Sequence, residues 1–192
     1  MVITKDYILF FGSDWPSNFA PSPITVWDDF QWDEDRDLWD RNEPSLPSTI
    51  TFKTAEAYFQ SRKAVMAGDK DSYYKIVRAE SPAETKKIAR RIKLDSKRWD
   101  RMRVKYMMDT LRLKFGQNPE LKQKLLDRSL DGKKFVEASP WDTFWGAGRG
   151  IKELCEEIDT FGYIEFFDFE SDHPIAFNML GELLNKLRGE LK

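Results

Sequence analysis

Two groups of residues in this chain are of types that can do chemistry. The first is the stretch Glu137-Ala138-Ser139-Pro140-Trp141-Asp142-Thr143-Phe144-Trp145-Gly146-Ala147-Gly148, which sets two carboxylates, two tryptophans and two glycines into twelve positions. Pro140, Gly146 and Gly148 argue against a helix running through it. With the apolar Phe135 and Val136 just ahead, it reads as a strand end feeding a tight loop. Loops of this kind hold chemistry on a rigid scaffold, but the same tryptophans read equally well as plugs of a core. The second group is Glu56, Gln60 and Lys63, spaced i, i+4 and i+7, which puts all three on one helical face. On a surface helix such a face is a solvated Glu–Lys row. Among the aromatic and apolar neighbours Tyr58, Phe59 and Val65 it can instead line a pocket, and the residues alone leave both readings open.

The elements that must position these groups follow from patterning. An aromatic and aliphatic run at 7–11 predicts a strand, broken by the turn-forming loop Gly12-Ser13-Asp14-Trp15-Pro16-Ser17-Asn18-Phe19. Asn18 is either a turn residue or an amide offered to a ligand. Residues 21–24, with two prolines, continue as an irregular path. From 27 to 49 carboxylates alternate with Trp27, Phe30, Trp32, Leu38 and Trp39, which reads as an acidic-aromatic insertion or lid, or as a solvated loop pinned by its rings. Phe52-Lys53-Thr54 leads into a helix over 55–67, with Thr54 as N-cap and Gly68 as stop. Further helices are predicted over 70–78, from Ser81-Pro82-Ala83-Glu84 (a capping-box spacing) to 91, over 97–115, and from Asn118-Pro119 onward. A strand at 134–136 precedes the opening loop, and helices over 151–158 and 177–191 follow it. Between residues 86 and 105 lies a basic cluster that includes Lys86, Arg90, Arg101 and Arg103. It is either a solvated face or a holder of phosphate, for which the arginine fork is suited.

Composition limits the choices. The chain has 192 residues, which suits one domain, and 33% of them are charged. With a formal net charge of −2 it does not have the bulk charge of a general nucleic-acid binder. Seven tryptophans supply rings that fill a core or sandwich a flat base. One cysteine, Cys155, excludes an internal disulfide framework, and one histidine, His173, in a polar loop, argues against both a zinc site and a Cys-His pair. No secretory pattern and no membrane-length apolar run are present, so the expectation is a cytoplasmic protein without a membrane partner. No Walker loop, dinucleotide fingerprint or Gly-x-Ser-x-Gly elbow is found, and neither cofactor nor metal is expected.

Assembled in order, five blocks resemble the NADAR, or YbiA-like, family. They are Ser17-Asn18-Phe19 with Pro23-Ile24; Phe52-x-x-x-Glu56-x-x-x-Gln60-x-x-Lys63-Ala64; Trp99 with Arg103, Met107 and Lys114-Phe115; Glu137-Ala138-Ser139-Pro140-x-Asp142-x-x-Trp145-Gly146-x-Gly148; and Asn178-Met179-Leu180-Gly181 with Leu184 and Arg188. The resemblance implies a mainly α, multihelical single domain with small β elements, and N-glycosidase activity on a ribosylated base. The implied substrates are phosphorylated ribosylamino-pyrimidines of early riboflavin synthesis, or ADP-ribose-linked molecules, including ADP-ribosylated guanine in nucleic acid. The segment at 27–49 and the stretch 151–177 are longer than a minimal member needs.

Cleavage of an N-glycosidic bond builds positive charge on the ribose, which a carboxylate stabilises. Asp142 or Glu56 is assigned that role. Lys63 is assigned the part of an acid or of an amine that captures the opened ribose as a Schiff base. Trp99 and Trp145 would stack on the base or wall the pocket, and Gly146 and Gly148 would let backbone approach the ligand. Asn18, Gln60, Arg90, Arg103 and Glu137 complete the expected substrate-binding set. The rival readings are a module that binds ADP-ribose or a nucleotide without cleaving it, and a partner protein that uses the acidic-aromatic segment as its interface.

Overall fold

The computed structural model describes residues 1–30, 49–168 and 173–192. Along the chain come strands β1 (Val2–Ile3), β2 (Tyr7–Phe10), β3 (Pro21–Trp27) and β4 (Thr49–Thr54), then helices α1 (Ala55–Ala67), α2 (Lys70–Arg78) and α3 (Pro82–Ala89). Helices α4 (Ser96–Gln117) and α5 (Pro119–Leu125) and a 3-10 turn at Arg128–Leu130 lead to β5 (Lys134–Glu137). Helix α6 (Ile151–Phe161), the short strands β6 (Phe167–Asp168) and β7 (His173–Pro174), and α7 (Met179–Leu191) complete it. The protein is mainly α with three small sheets among the described residues. The core of the acidic-aromatic segment, residues 31–48, lies outside the described residues.

Two compact units divide the chain, Met1–Ala20 with Pro119–Lys192, and Pro21–Asn118. In the first, β2 is the middle strand of a sheet ordered β1-β2-β5, antiparallel to β1 and parallel to β5, with Phe10 opposite Glu137. Ile8, Leu9, Phe10, Phe135 and Val136 are all buried, so the sheet that delivers the chain to Glu137 is anchored on both central strands.

In the second unit, β3 pairs antiparallel with β4. This corrects two expectations. Residues 21–24 are not irregular, and Phe52-Lys53-Thr54 closes a strand rather than simply leading into the helix. The register slips between Pro21 and Ile24, a β-bulge that absorbs prolines unable to donate to the ladder, while Ser22 and Ile24 still alternate inward. Ser22 Oγ accepts from Ala55 N at 3.1 Å and Thr54 Oγ1 accepts from Ala57 N at 3.2 Å, so two hydroxyls cap the start of α1. Gly68, at φ 66°, closes its other end in the left-handed region. The Ser81 hydroxyl caps α3 through Glu84 N, whereas the Glu84 carboxylate accepts from Glu80 N at 2.8 Å, one residue before the capping-box partner.

Helix α1 is buried almost all round: nine of its 13 residues are buried, including Glu56, Gln60, Ser61 and Arg62, which removes the solvated-row reading of its polar face. The surrounding core is aromatic, with Phe52 edge-on to Tyr58 and Tyr73 at centroid distances of 5.5 and 5.9 Å. Just after β3, Asp28 is buried, and Asp29, though open to solvent, is paired. Asp29 Oδ2 accepts from Arg62 Nη2 at 2.6 Å and from the Tyr73 hydroxyl at 3.2 Å, and Asp28 Oδ2 accepts from the Tyr74 hydroxyl at 2.7 Å. Burial disfavours the Arg62 charge, but the Asp29 hydrogen bond and neighbouring charges outweigh it and hold the guanidinium above its ordinary value. Burial and Asp28 together push the Tyr74 phenol up to about 12. Asp29→Ala leaves Arg62 without this partner, and is expected to cost about 1–3 kcal/mol in chemical denaturation, the usual penalty for orphaning a buried polar group. Asp29→Asn, which keeps an acceptor, is expected to cost less.

Candidate active site

The predicted site residues fall into two clusters, one in each unit. In the second unit Glu56, on the first turn of α1, is only 4% exposed. Its Oε1 accepts from Gln60 Nε2 at 3.0 Å and lies 4.0 Å from Lys86 Nζ of α3. Lys63, two turns along the same face, holds its ammonium 5.0 Å from the centre of the Trp99 ring, a cation–π contact. Trp99 in turn stacks on Tyr106 at 5.9 Å and leans on Phe59 at 5.3 Å, so its position is set by protein on several sides. Burial pushes the Lys63 amine below its ordinary value; Glu56 opposes this, and the charges of Lys86 and Arg90 add to it. Arg90 itself is exposed, at the C-terminal end of α3. Arg103, one turn after Trp99 on α4, has its Nε 3.4 Å from Asp100. The structure thus brings Glu56, Gln60, Lys63 and Trp99 together, with Arg90 in electrostatic reach. It adds Lys86, which the sequence shows only as one member of a charge run.

In the first unit the loop after β5 is closed by its own backbone, by the Asp142 carboxylate and by the amides at the start of α7. Glu137 O accepts from Ser139 N and Ala147 N, and Asp142 O accepts from Gly148 N. Asp142 Oδ1 accepts from Phe144 N at 3.0 Å and Trp145 N at 2.8 Å, which gives that carboxylate oxygen a turn-holding task. The glycines serve the loop too. A Cβ on Gly146 would stand 2.9 Å from Glu137 O, and one on Gly148, where φ is +66°, would stand 2.9 Å from Thr143 Cγ2. The clearance expected for a ligand is therefore used by the loop's own chain. Trp145 is half-buried and meets Phe144 edge-on, whereas Trp141 is 87% exposed. Asn18 is buried on the loop after β2, where Ser17 N bonds Asp14 O and Ala20 N bonds Ser17 O.

Helix α7 locks this loop. Its leading amides, which have no partner within a helix, donate outward: Phe177 N to Thr143 O, Asn178 N to Gly146 O, Met179 N to Phe144 O and Leu180 N to Trp145 O. Asn178 is the organising residue. At φ 44° it is left-handed; it accepts from Glu137 N at 3.0 Å and donates to Phe135 O at 2.9 Å, continuing the edge of β5 with a side chain. The sequence offered its signal in Asn178-Met179-Leu180-Gly181, without a role. A cavity of about 380 Å³ in this unit, lined by Gly132, Lys134, Glu182, Asn185 and Arg188, includes none of the predicted site residues. Among the described residues no group of His, Cys, Asp and Glu gathers as a metal site, and no helix is long and apolar enough to cross a membrane.

A buried carboxylate and a partly desolvated amine on one helical face mark α1 as a candidate functional site. The NADAR domain family profile matches residues 13–192, and the chain belongs to that family. It is 35% identical over 140 residues to N-glycosidase R617 of Acanthamoeba polyphaga mimivirus, covering 72% of this chain and 74% of that one. It is 31% identical over 186 residues to the chloroplastic riboflavin biosynthesis protein PYRR of Zea mays, covering 91% of this chain but only 23% of that longer protein. The NMR structure of the Escherichia coli protein YbiA superposes with a TM-score of 0.62 at 27% identity, over 99% of this chain and 87% of the other. The chain is an enzyme of this class, a hydrolase acting on N-glycosyl bonds.

The packing of α7 yields a test. A Cβ at Gly181 would stand 2.1 Å from Phe135 O, a backbone atom that cannot step aside. Gly181→Ala is expected to destabilise the protein by about 1–3 kcal/mol or more, as overpacking does, and to lower the thermal midpoint in calorimetry, while Gly189→Ala, with open space around it, does not.

Proposed function

We propose that this enzyme cleaves the bond between a ribose and a base, with Glu56 as the ribose-side carboxylate and Lys63 as the reacting amine. The observation that carries this is their shared placement on α1: Glu56 is 4% exposed, and Lys63 has an amine lowered by burial over an aromatic ring. As the C1′–N bond lengthens, positive charge grows on the ribose, and a desolvated carboxylate stabilises it more than a solvated one would. The neutral Lys63 amine then bonds C1′ while the base leaves with a proton. Ring opening gives a Schiff base, which water hydrolyses to free the sugar and restore the amine. Lys86, 4.0 Å from Glu56, holds that carboxylate's charge and helps depress Lys63. Trp99 walls the amine. Asp142, with one oxygen committed to Phe144 N and Trp145 N, is assigned to shaping its loop, and Glu137 supports the same loop.

The substrate proposed is a ribosylated base carrying phosphate, either a riboflavin-pathway ribosylamino-pyrimidine phosphate or an ADP-ribose-linked guanine or nucleotide. The name of the maize relative speaks for the first, and the cations Arg90 and Arg103 suit the phosphate of either.

Glu56→Gln and Lys63→Met are each expected to lower kcat about 10²–10⁴-fold on the accepted substrate, measured as base released by chromatography. Because the attacking form of Lys63 is neutral, wild-type kcat is expected to rise with pH along a limb below the ordinary lysine value of 10.5. Borohydride added during turnover is expected to trap the sugar on the peptide bearing Lys63 and to trap nothing in Lys63→Met. Unchanged turnover in both variants would remove the assignment.

A further inference from the structure

Gln60 is hydrogen-bonded at one end and buried without a hydrogen bond at the other among the described residues. Its Nε2 donates to Glu56 Oε1 at 3.0 Å, which fixes the amide: the amino group faces the carboxylate and the carbonyl faces away. Turning the amide over would set carbonyl oxygen against carboxylate oxygen, two acceptors with no proton between them. The outward Oε1 is buried and accepts no hydrogen bond from the described residues, in a residue only 7% exposed. The neighbouring hydroxyl does not serve it, because Ser61 Oγ donates to Tyr58 O at 2.7 Å and accepts from Arg62 Nη2 at 2.9 Å. Native structures seldom leave a buried acceptor unmet without a functional reason.

We propose that Gln60 Oε1 is a specificity element for the substrate: it accepts one neutral hydrogen-bond donor, an O–H of the ribose or an N–H of the base, at the turn of α1 between Glu56 and Lys63. The inference rests on the α1 reading of the active site. The chemistry of the position is selective. An amide carbonyl accepts only, so a phosphate oxygen, which also only accepts at neutral pH, is refused there, and the Glu56 charge beside it adds repulsion. A donor bound to Oε1 is linked through Nε2 to Glu56, so the ligand group, the amide and the catalytic carboxylate form one hydrogen-bonded chain whose members polarise one another. A ligand that lacks the donor leaves the acceptor buried and unmet, and sites built to bond a substrate hydroxyl reject such analogues strongly.

The test uses the full chain and matched ligands: a ribosylated base, its 2-deoxyribosyl and 3-deoxyribosyl counterparts, and a counterpart whose base N–H donors are methylated. Binding is read by calorimetry on Lys63→Met protein, which leaves the ligands intact, and kcat/KM on the enzyme with Lys63 present. The protein with Gln60 is expected to favour the donor-bearing ligand about 10²-fold over the one analogue that lacks the bonded group, and the identity of that analogue names the source, sugar or base. Gln60→Met is expected to erase that preference to within about threefold. Gln60→Glu, which keeps an acceptor and gives up the donation to Glu56, is expected to retain it. Equal binding of all four ligands by the protein with Gln60 overturns the proposal. So does loss of the preference in both Gln60→Met and Gln60→Glu, which would make Gln60 a support for Glu56 alone. Binding with the expected preference but no base release would sink the catalytic reading while leaving the acceptor in place; no binding of any ribosylated ligand would sink both.

Discussion

Burying polar and charged groups along a helix that has almost no exposed face is the constraint on which the second unit depends. Glu56, Gln60, Ser61 and Arg62 all lie inside, and each must be satisfied by something other than water. The solutions come from every neighbouring element. Helix α3 brings Lys86 to Glu56, the end of β3 and α2 bring Asp29 and Tyr73 to the Arg62 side, and α4 brings Trp99 under Lys63. The two hydroxyls of Ser22 and Thr54 start the helix where they do, and so decide that Glu56 falls on its first turn. A carboxylate near a helix N-terminus is also favoured by the helix dipole, which partly offsets its desolvation. The arrangement of the surrounding helices and the electrostatics of the candidate site are thus one problem with one solution.

The loop from Glu137 to Gly148 solves a different problem, that of making a non-helical segment rigid. Many of its backbone groups are taken up, either within the loop or by the leading amides of α7. This dual closure explains why Gly146, Gly148 and Asn178 stand where they do. Two of these positions need a left-handed backbone, and at Gly146 a side chain would meet Glu137 O. Gly181 follows from the same need, because α7 can reach Phe135 O and the Asn178 amide only if its first turn carries no Cβ at that position. Rigidity of this kind suits a loop that presents side chains, and it sets Asp142 apart from Glu56. One carboxylate is engaged with backbone amides in a turn, the other with an amide side chain and a lysine.

How far the sequence revealed this depends on the range of the interaction. Local signals were legible: Thr54 and Gly68 bound α1 as their capping chemistry requires, and the apolar pair Phe135-Val136 ahead of the loop marked β5. Residues 21–24 were misread because two prolines outweighed the inward alternation of Ser22 and Ile24, and a bulge that tolerates proline has no sequence mark. The spacing of Glu56, Gln60 and Lys63 fixed their common face but not its burial, since burial depends on what packs opposite. The partners of Asp28 and Asp29 lie 33 to 46 positions away, beyond any pattern, so folded acids looked like a solvated acidic run. The glycines of the loop were read as places of close approach, and the groups a Cβ would meet there include Glu137 O and Thr143 Cγ2.

The basic run between residues 86 and 105 shows how a single charge pattern can hold several tasks. Lys105 pairs with Asp109 and Arg103 with Asp100, each within its own helix on α4. Lys86 faces inward to Glu56, and its charge acts with that of Arg90 on Lys63. Lys86 thus lies beside the Glu56 carboxylate, and its charge and that of Arg90 disfavour a protonated Lys63 amine. Glu56 acts on Lys63 in the other sense, and burial, the largest influence, leaves the amine below its ordinary value. A lysine that reacts as an amine needs this bias, whereas a lysine that only binds phosphate needs the reverse. Burial therefore sets the direction for Lys63, and Lys86, a half-exposed residue on a different helix with no motif of its own, adds to it.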